Sequence, residues 1–537
     1  MIPVSDRWKE LNEQTLLPEM FVELTYSITE PGLQDEASIS VTNKESYSNV
    51  DQVIRDVDKN SESYSTLDYG AWGLDGNYSY FDGTPNDPGY IHSVYSESDG
   101  TLTVQPEITI DFDTRHTVAI PGITITWDKA FGGWATDFIV VANNSNGEVA
   151  RTVVRGNTSV VSQIQINLVD YSQIKITVLK WSHPYQRMRC ISILLGMKTV
   201  YTKDDLLGFS HKQVVDLLSA TLPENSITFK LRNDDDRWNP ELPTGAERYL
   251  AERQEVSLRY GMDVDGVIEW IPGGTFWLNE WNTPSNGMEA DFTAQSAIGF
   301  MGAAYSGVRS GTLYDIAVSA LEQASLPKMS DGSNRYIVSE KLREYTTDFS
   351  SENTSYLISE VVQMVAHAGN CVFYQDRNGI IHVEPWNQVY SGYVVDPNIS
   401  YTHPEYTFNK PLKTVSVEYG SEKESVELEY SSTGEIQTVS NPFVRTETDA
   451  TRVAKRTLEV LQNRKVVSGD FRADLRMDAL DNIIVTSKYS KNVVGVTEVE
   501  YSTTDGAFRG KYTGRVVSIK LEPVNVYSDE IYSNEIW

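Results

Sequence analysis

Within residues 198–300, apolar and polar side chains alternate in four short runs, Ile227-Phe229-Leu231, Val256-Leu258-Tyr260, Phe276-Leu278 and Met288-Ala290-Phe292. A period of two places alternate residues on one face of an extended chain, so these runs read as half-buried antiparallel strands rather than helices. Asn233-Asp234-Asp235-Asp236, Pro272-Gly273-Gly274 and Pro284-Ser285-Asn286-Gly287 fall between them. Such residues adopt positive φ or bond their own backbone, so each cluster is expected to be a turn. A small closed barrel or meander follows.

The other strand-like runs are spread along a chain of 537 residues, long enough for three to five domains with real cores. MFVELTYSI (20–28) is one strand without a neighbouring partner. From 30 to 196, ITIDFD (108–113), GITITWD (122–128), DFIVVANN (137–144), SQIQINL (162–168) and SQIKITVLKW (172–181) succeed one another at sandwich spacing, which suggests an inserted module. After the first barrel, GTLYDIAVSALEQASL (311–326) puts Leu313, Ile316, Ala317, Ala320 and Leu321 on one helical face, and Pro327 ends it. A second helix is expected over 353–369, capped by Asn353 and Gly369, with Leu357, Val361, Met364 and Val365 as its stripe. A hairpin about Arg377-Asn378-Gly379 follows. Strands at 413–420, 425–431 and 435–441 then precede a helix with Ala450, Val453, Ala454, Leu458 and Leu461 inward.

Charge and motifs narrow the function classes. Lys and Arg number 45 against 75 Asp and Glu, a net charge of -30, which argues against a phosphate-binding surface and specific nucleic-acid binding. A hydrophobic content of 40% with 30 Tyr and 11 Trp is too rich for an acidic disordered chain. The N-terminus has no signal-peptide run and no stretch approaches a membrane span, so a chain made in the cytoplasm is expected. Cys190 and Cys371 sit in apolar runs, where a thiol behaves as a small hydrophobe. There is no HExxH, CxxC, Walker loop or serine elbow, and the seven histidines are scattered, so no enzyme, metal or cofactor is expected. Asp234-Asp235-Asp236 reads as a solvated turn, and Asp75 and Asp82 as turn residues rather than calcium ligands. The candidate carbohydrate-binding residues are Tyr90, Trp127, Trp134, His183 and Tyr185, because the apolar face of a sugar stacks on a ring while its hydroxyls seek polar groups. Core packing is the competing role for each.

The ordered set Arg237-Trp238-Asn239-Pro240, RQEVSLRYG (253–261), GGTFWLNEW (273–281) and a closing FTA strand resembles the barrel of phage tail baseplate hub proteins. The stretch VVSGDFRADLRMDALDNIIVTS, with Leu480-Asp481-Ile483-Val485, resembles the second barrel of that family. YSTLDYGAWGLDG (64–76), ITIDFD, GITITWD, the Asp170-Tyr171 turn and RCISILLG (189–196) resemble discoidin-like β-sandwiches. Together these imply a mainly β chain with α+β parts: residues 1–29 opening barrel 1, an inserted sandwich at 30–196, the rest of barrel 1 at 197–305, an α+β domain at 306–400 and a second barrel with helix and C-terminal strands at 401–537. The hub resemblance implies a virion tail component that forms a homotrimeric ring capping the tail tube, with the distal tail protein ring, the tape-measure protein and other baseplate subunits as partners. The discoidin resemblance implies contact with a host cell-wall glycan, which makes an adhesin the competing class and a glycoside hydrolase a weaker third.

Overall fold

The computed structural model describes residues 1–517 except 15–17, 30–32, 56–67, 71–87, 118, 204, 235, 237, 240, 242–249, 251–252, 283–286, 327–332, 351–353 and 505–506. The fold is mainly β, with α+β parts and a β-sandwich.

The alternating runs of the first barrel form strands Glu224–Arg232, Glu255–Val264, Val267–Asn282 and Glu289–Gln295, joined by Met20–Thr29, Gly196–Tyr201 and Leu206–Val214. Ile227, Phe229, Leu231, Val256, Leu258, Tyr260, Phe276, Leu278, Ala290 and Phe292 all point into one buried core. Met288 does not: it precedes the ladder, which starts at Glu289, and is exposed.

One expected turn is instead part of a strand. Pro272-Gly273-Gly274 lies inside the 16-residue strand Val267–Asn282, where the register against Glu255–Val264 shifts between Leu258 and Arg259. This is a bulge, and a Cβ at Gly273 would come within 2.4 Å of Leu258 Cγ. The chain reverses earlier, at Asp265-Gly266, where both residues have positive φ (54° and 91°), the conformation a tight primed turn needs. At the expected Asn233–Asp236 turn, the Asn233 side-chain oxygen accepts from Trp238 N (2.8 Å), and Trp238 packs into the barrel against Phe292. Residues 284–286 of the third expected turn lie outside the described residues.

Strands Lys491–Thr504, Ala507–Val516, Lys465–Arg472, Glu405–Phe408, Asn482–Thr486 and Tyr390–Val395 form a second barrel-like group. The two groups share an edge, since Leu206–Val214 pairs antiparallel with Lys491–Thr504 from Phe209↔Thr503 to Val214↔Glu498. One 13-stranded sheet therefore runs through both, over a common core.

The described residues between 33 and 195 fold as two facing sheets. One contains Ala37–Val41, Glu107–His116, Tyr171–Trp181, Ala135–Asn144 and Gly147–Val154, the other Tyr90–Tyr95, Arg187–Leu194, Ile120–Trp127 and Val161–Leu168. Between them lies a separate core that includes Trp127, Phe138, Ile176 and Trp181. The module leaves and re-enters barrel 1 at facing residues of one ladder, Thr29↔Gly196.

Helices Leu313–Gln323, Ile358–Ala368 and Glu447–Leu461 share a third core with the three-stranded sheet Leu412–Tyr419, Glu424–Glu429, Glu435–Ser440. That sheet and its helix thus pack with the central α+β part. The first helix buries the five residues its pattern named. The second starts only at Ile358; Leu357 is its N-cap, its backbone N–H held by Glu360 Oε2 at 2.8 Å. Leu357 is therefore exposed, Val361, Val362 and Val365 form the buried stripe, and Asn353 lies outside the described residues.

Candidate functional site

Two places concentrate polar chemistry. The first is where barrel 1, barrel 2 and the α+β part meet. The hairpin between Val372–Gln375 and Ile381–Glu384 does not close in a two-residue turn; Asp376 N–H donates to the Ile380 carbonyl (2.9 Å) across a longer loop. That loop drives Arg377 inward until it is fully buried. Its guanidinium donates to Asp478 Oδ1 (2.6 Å) and to the carbonyls of Pro272 (3.0 Å), Leu475 (2.7 Å) and Met477 (2.8 Å), which belong to both barrels. Burial pulls the guanidinium pKa down, but Asp478 and the Tyr501 and Tyr260 hydroxyls more than reverse this, so it lies above the ordinary value. Gln213 of barrel 1 also donates to Asp478 (3.1 Å), and a cavity of about 410 Å³ adjoins the site.

Beside Arg377, His211 lies wholly inside barrel 1. Its Nε2–H donates to Asn225 Oδ1 (3.1 Å), so Nδ1 accepts from the Tyr260 hydroxyl (2.8 Å). Burial, with the charge of Arg377, holds this imidazole at about 3 despite the Asn225 bond.

The second place is the end of the sandwich remote from barrel 1. Strand Ile120–Trp127 begins beside the barrel, where Gly122 lies against Met197, and ends at Trp127, roughly 23 Å further on at the usual rise per residue. Here the expected aromatics divide. Tyr90 and Trp127 are buried in the sandwich core: Tyr90 OH donates to the Thr42 carbonyl (2.6 Å), and Trp127 Nε1 to Ser162 Oγ (2.9 Å), its ring edge-on to Phe138 and Trp181. Neither offers a face to a ligand, which corrects their candidacy.

Trp134 and His183 are half-buried and meet edge-to-face at 5.8 Å, with Trp134 Nε1 donating to the Asn157 carbonyl (2.8 Å) and His183 Nδ1 2.8 Å from Ser182 Oγ. Tyr185 stands out at the tip, 51% exposed and with φ 55°. A bulky residue in that conformation is uncommon and must be imposed by its surroundings. Tyr69, 72% exposed, crosses it edge-on at 6.2 Å.

Buried charge braces this end. Arg187 Nε donates to Asp68 Oδ1 (2.9 Å) and Nη1 to Glu45 Oε1 (2.8 Å), and the exposed Tyr95 ring lies 5.1 Å from the guanidinium. Asp68 is thereby fixed, and Gln186 Nε2 holds the Tyr69 carbonyl (2.8 Å). Tyr69 and Tyr95 were missed by sequence reasoning, although the Tyr69-Gly70 pair inside the discoidin-like motif was a turn signal. Asp75 and Asp82 lie outside the described residues.

The solved structures the chain resembles include phage tail and baseplate proteins, together with a carbohydrate-binding module over the sandwich. Similarity to the 43 kDa tail protein of prophage MuSo2 from Shewanella oneidensis covers 59% of this chain and 94% of that one, at 9% identity and TM-score 0.42. For a chain of the phage P2 baseplate in its activated conformation with Ca, the figures are 62% and 93% coverage, 6% identity and TM-score 0.25. For the family 32 CBM of C. perfringens NanJ in complex with galactose they are 33% and 99% coverage, 16% identity and TM-score 0.20. No protein-family model and no curated protein matches the sequence.

Proposed function

We propose that this chain is a structural hub of a phage tail or phage-tail-like particle, forming a trimeric ring that caps the tail tube and anchors distal tail components. The observation that carries the reading is the edge-to-edge pairing of Leu206–Val214 with Lys491–Thr504, which gives each copy two barrels in one continuous sheet. Three such copies about a threefold axis present six barrels, a match for a sixfold tube. The distal tail ring, the tape-measure protein and other baseplate subunits are the partners of such a ring, and its work is positional rather than catalytic. Light scattering on the purified chain together with images of tail tips tests this. A monomer at high concentration, with tips lacking the chain, defeats the proposal.

A second reading concerns the sandwich alone: a glycan-contacting module held away from the ring. The observation favouring it is the exposed pair Tyr69 and Tyr185 beside His183 and Trp134, with Tyr185 held at positive φ. Titration of the chain with purified wall polysaccharide tests it, and no binding by the intact chain removes it.

A further inference from the structure

The three-stranded sheet Leu412–Tyr419, Glu424–Glu429, Glu435–Ser440 is covered on one face only. Helix Glu447–Leu461 packs there, where Val415 and Val417 of the central strand join Ala450, Val453 and Ala454 in the core. Thr414, Ser416 and Glu418 alternate with those valines, so they point the other way. Opposite Thr414 and Ser416 stand Glu429 and Glu427 on one edge strand, and Ile436 and Thr438 on the other. Glu427 and Glu429 are exposed, and Ile436 is 57% exposed. Glu418, Glu427 and Glu429 form no ion pair with any described residue. Three like charges on so small a face repel one another until cations are brought to it.

In a chain with net charge -30, one rim of barrel 2 has the opposite character. It is formed by the end of strand Glu405–Phe408, the residues before Lys465–Arg472 and the turn Ser487–Ser490. Arg464 Nε donates to the Asn409 carbonyl (2.7 Å) and Lys465 Nζ to Asn492 Oδ1 (3.0 Å), while Lys488 lies 5.3 Å from the ring of Tyr489. None of these three cations forms an ion pair with a described residue. Two large rings stand exposed among them, Tyr489 at 87% and Phe408 at 62%. The rim is tied together through Tyr406, two residues before Phe408, whose hydroxyl lies 3.1 Å from Ser490 Oγ.

Within one copy the two surfaces touch at a seam, where Lys410, two residues past Phe408, pairs with Glu435, one residue before Ile436. Glu427 and Glu429 belong to the opposite edge of the sheet, two strand spacings or roughly 10 Å from Glu435. No described ion pair runs from the rim to them. A copy therefore presents a cationic, ring-bearing surface and an acidic, partly apolar one, each complementary to the other and neither satisfied by its own chain.

We propose that copies of this chain associate by docking the cationic rim of barrel 2 on the acidic sheet face of a second copy. Arg464, Lys465 and Lys488 then meet Glu418, Glu427 and Glu429, and the rings of Phe408 and Tyr489 cover Ile436. Opposite charge draws the two surfaces together and selects their register, while the rings and Ile436 supply apolar area removed from water. Of the hub reading the proposal needs only that copies associate, and it rests on that part alone.

Two measurements on the full chain test it. The first is light scattering over a range of concentrations, with the fold of each variant checked by circular dichroism. Glu427→Lys with Glu429→Lys reverses the sheet face, and Arg464→Glu with Lys488→Glu reverses the rim; all four side chains are exposed, so the cores stay intact. Either pair alone should weaken association by about tenfold, and a chain carrying both pairs, whose surfaces are again opposite in sign, should recover most of the loss. Association within about twofold of the wild type in either single-surface variant overturns the proposal while the hub reading stands, the copies then meeting elsewhere. A chain with both pairs that stays as dissociated as either alone overturns it as well. A wild type that is monomeric at high concentration overturns both readings. The second measurement uses carbodiimide, which joins a lysine to a carboxylate in contact with it. In a mixture of isotope-labelled and unlabelled chains, Lys465 or Lys488 should be linked to Glu427 or Glu429 of the other isotope; links to other acids only, or none, overturn the proposal.

Discussion

Arg377→Met removes the cation that joins three parts of the chain while keeping a similar apolar stem. The substitution leaves Asp478 without its buried partner, and breaking such a pair from one side costs about 3–5 kcal/mol. It also strips the Pro272 and Leu475 carbonyls of a donor, each worth about 1–3 kcal/mol when left unsatisfied, while the Met477 carbonyl keeps the Tyr501 hydroxyl at 2.8 Å. Water entering the adjoining cavity can satisfy some of these groups, and Gln213 keeps its bond to Asp478, so the sum is an upper bound and the loss expected is about 5 kcal/mol. Arg377→Lys keeps the charge near Asp478 but cannot reach all three carbonyls from one nitrogen, so about half that loss is expected. Urea unfolding should be followed by hydrogen exchange resolved along the chain, because a chain with three cores need not unfold in one step. The expected result is early loss of protection at 272–277 and 475–485 together, with the sandwich strands unaffected. A melting profile for Arg377→Met within about 1 kcal/mol of the wild type would refute the keystone role, since surface substitutions lie in that range.

Three further outcomes follow from the same geometry. His211 titrates at about 3 in the fold and at 6.5 when solvated, so between those values the unfolded chain binds the extra proton; stability should fall as the pH drops through that window, by up to about 1.4 kcal/mol per pH unit, and His211→Gln should flatten the slope in acid denaturation curves. Because Thr29 and Gly196 face each other in one ladder, replacing 30–195 by Asn-Gly should turn the flanking strands into a hairpin and leave barrel 1 folded by circular dichroism; loss of all cooperative unfolding would count against an autonomous insertion. Tyr185→Ala should weaken wall-polysaccharide binding by about 1–3 kcal/mol with little change in melting temperature, whereas Trp127→Ala should cost about 3–5 kcal/mol of stability; an unchanged polysaccharide affinity for Tyr185→Ala would remove that ring from the proposed platform.

What the sequence determined by itself is what depends on near neighbours. The inward residues of Glu224–Arg232 and Glu255–Val264, and the five buried residues of Leu313–Gln323, follow from periods of two and 3.6 that any such segment must obey once one face is covered. The 272–274 turn failed for a local reason too: Gly and Pro mark bulges as readily as reversals, and only pairing against Leu258 and Arg259 distinguishes them.

What the tertiary structure alone decided involves partners far apart in sequence. Pairing of Leu206–Val214 with Lys491–Thr504 leaves no mark in either strand, because an edge strand and an internal one can share the same alternation. Tyr90 and Trp127 could not be told from Tyr69 and Tyr185 by composition, since each ring gains from burial or from ligand contact. Packing of the two sheets covered the first pair, and the Arg187–Asp68 brace helps hold the second pair at the surface. Arg377 reads as an ordinary turn residue until the two barrels close round it, for only their approach supplies Asp478 and three carbonyls to replace the water it gives up.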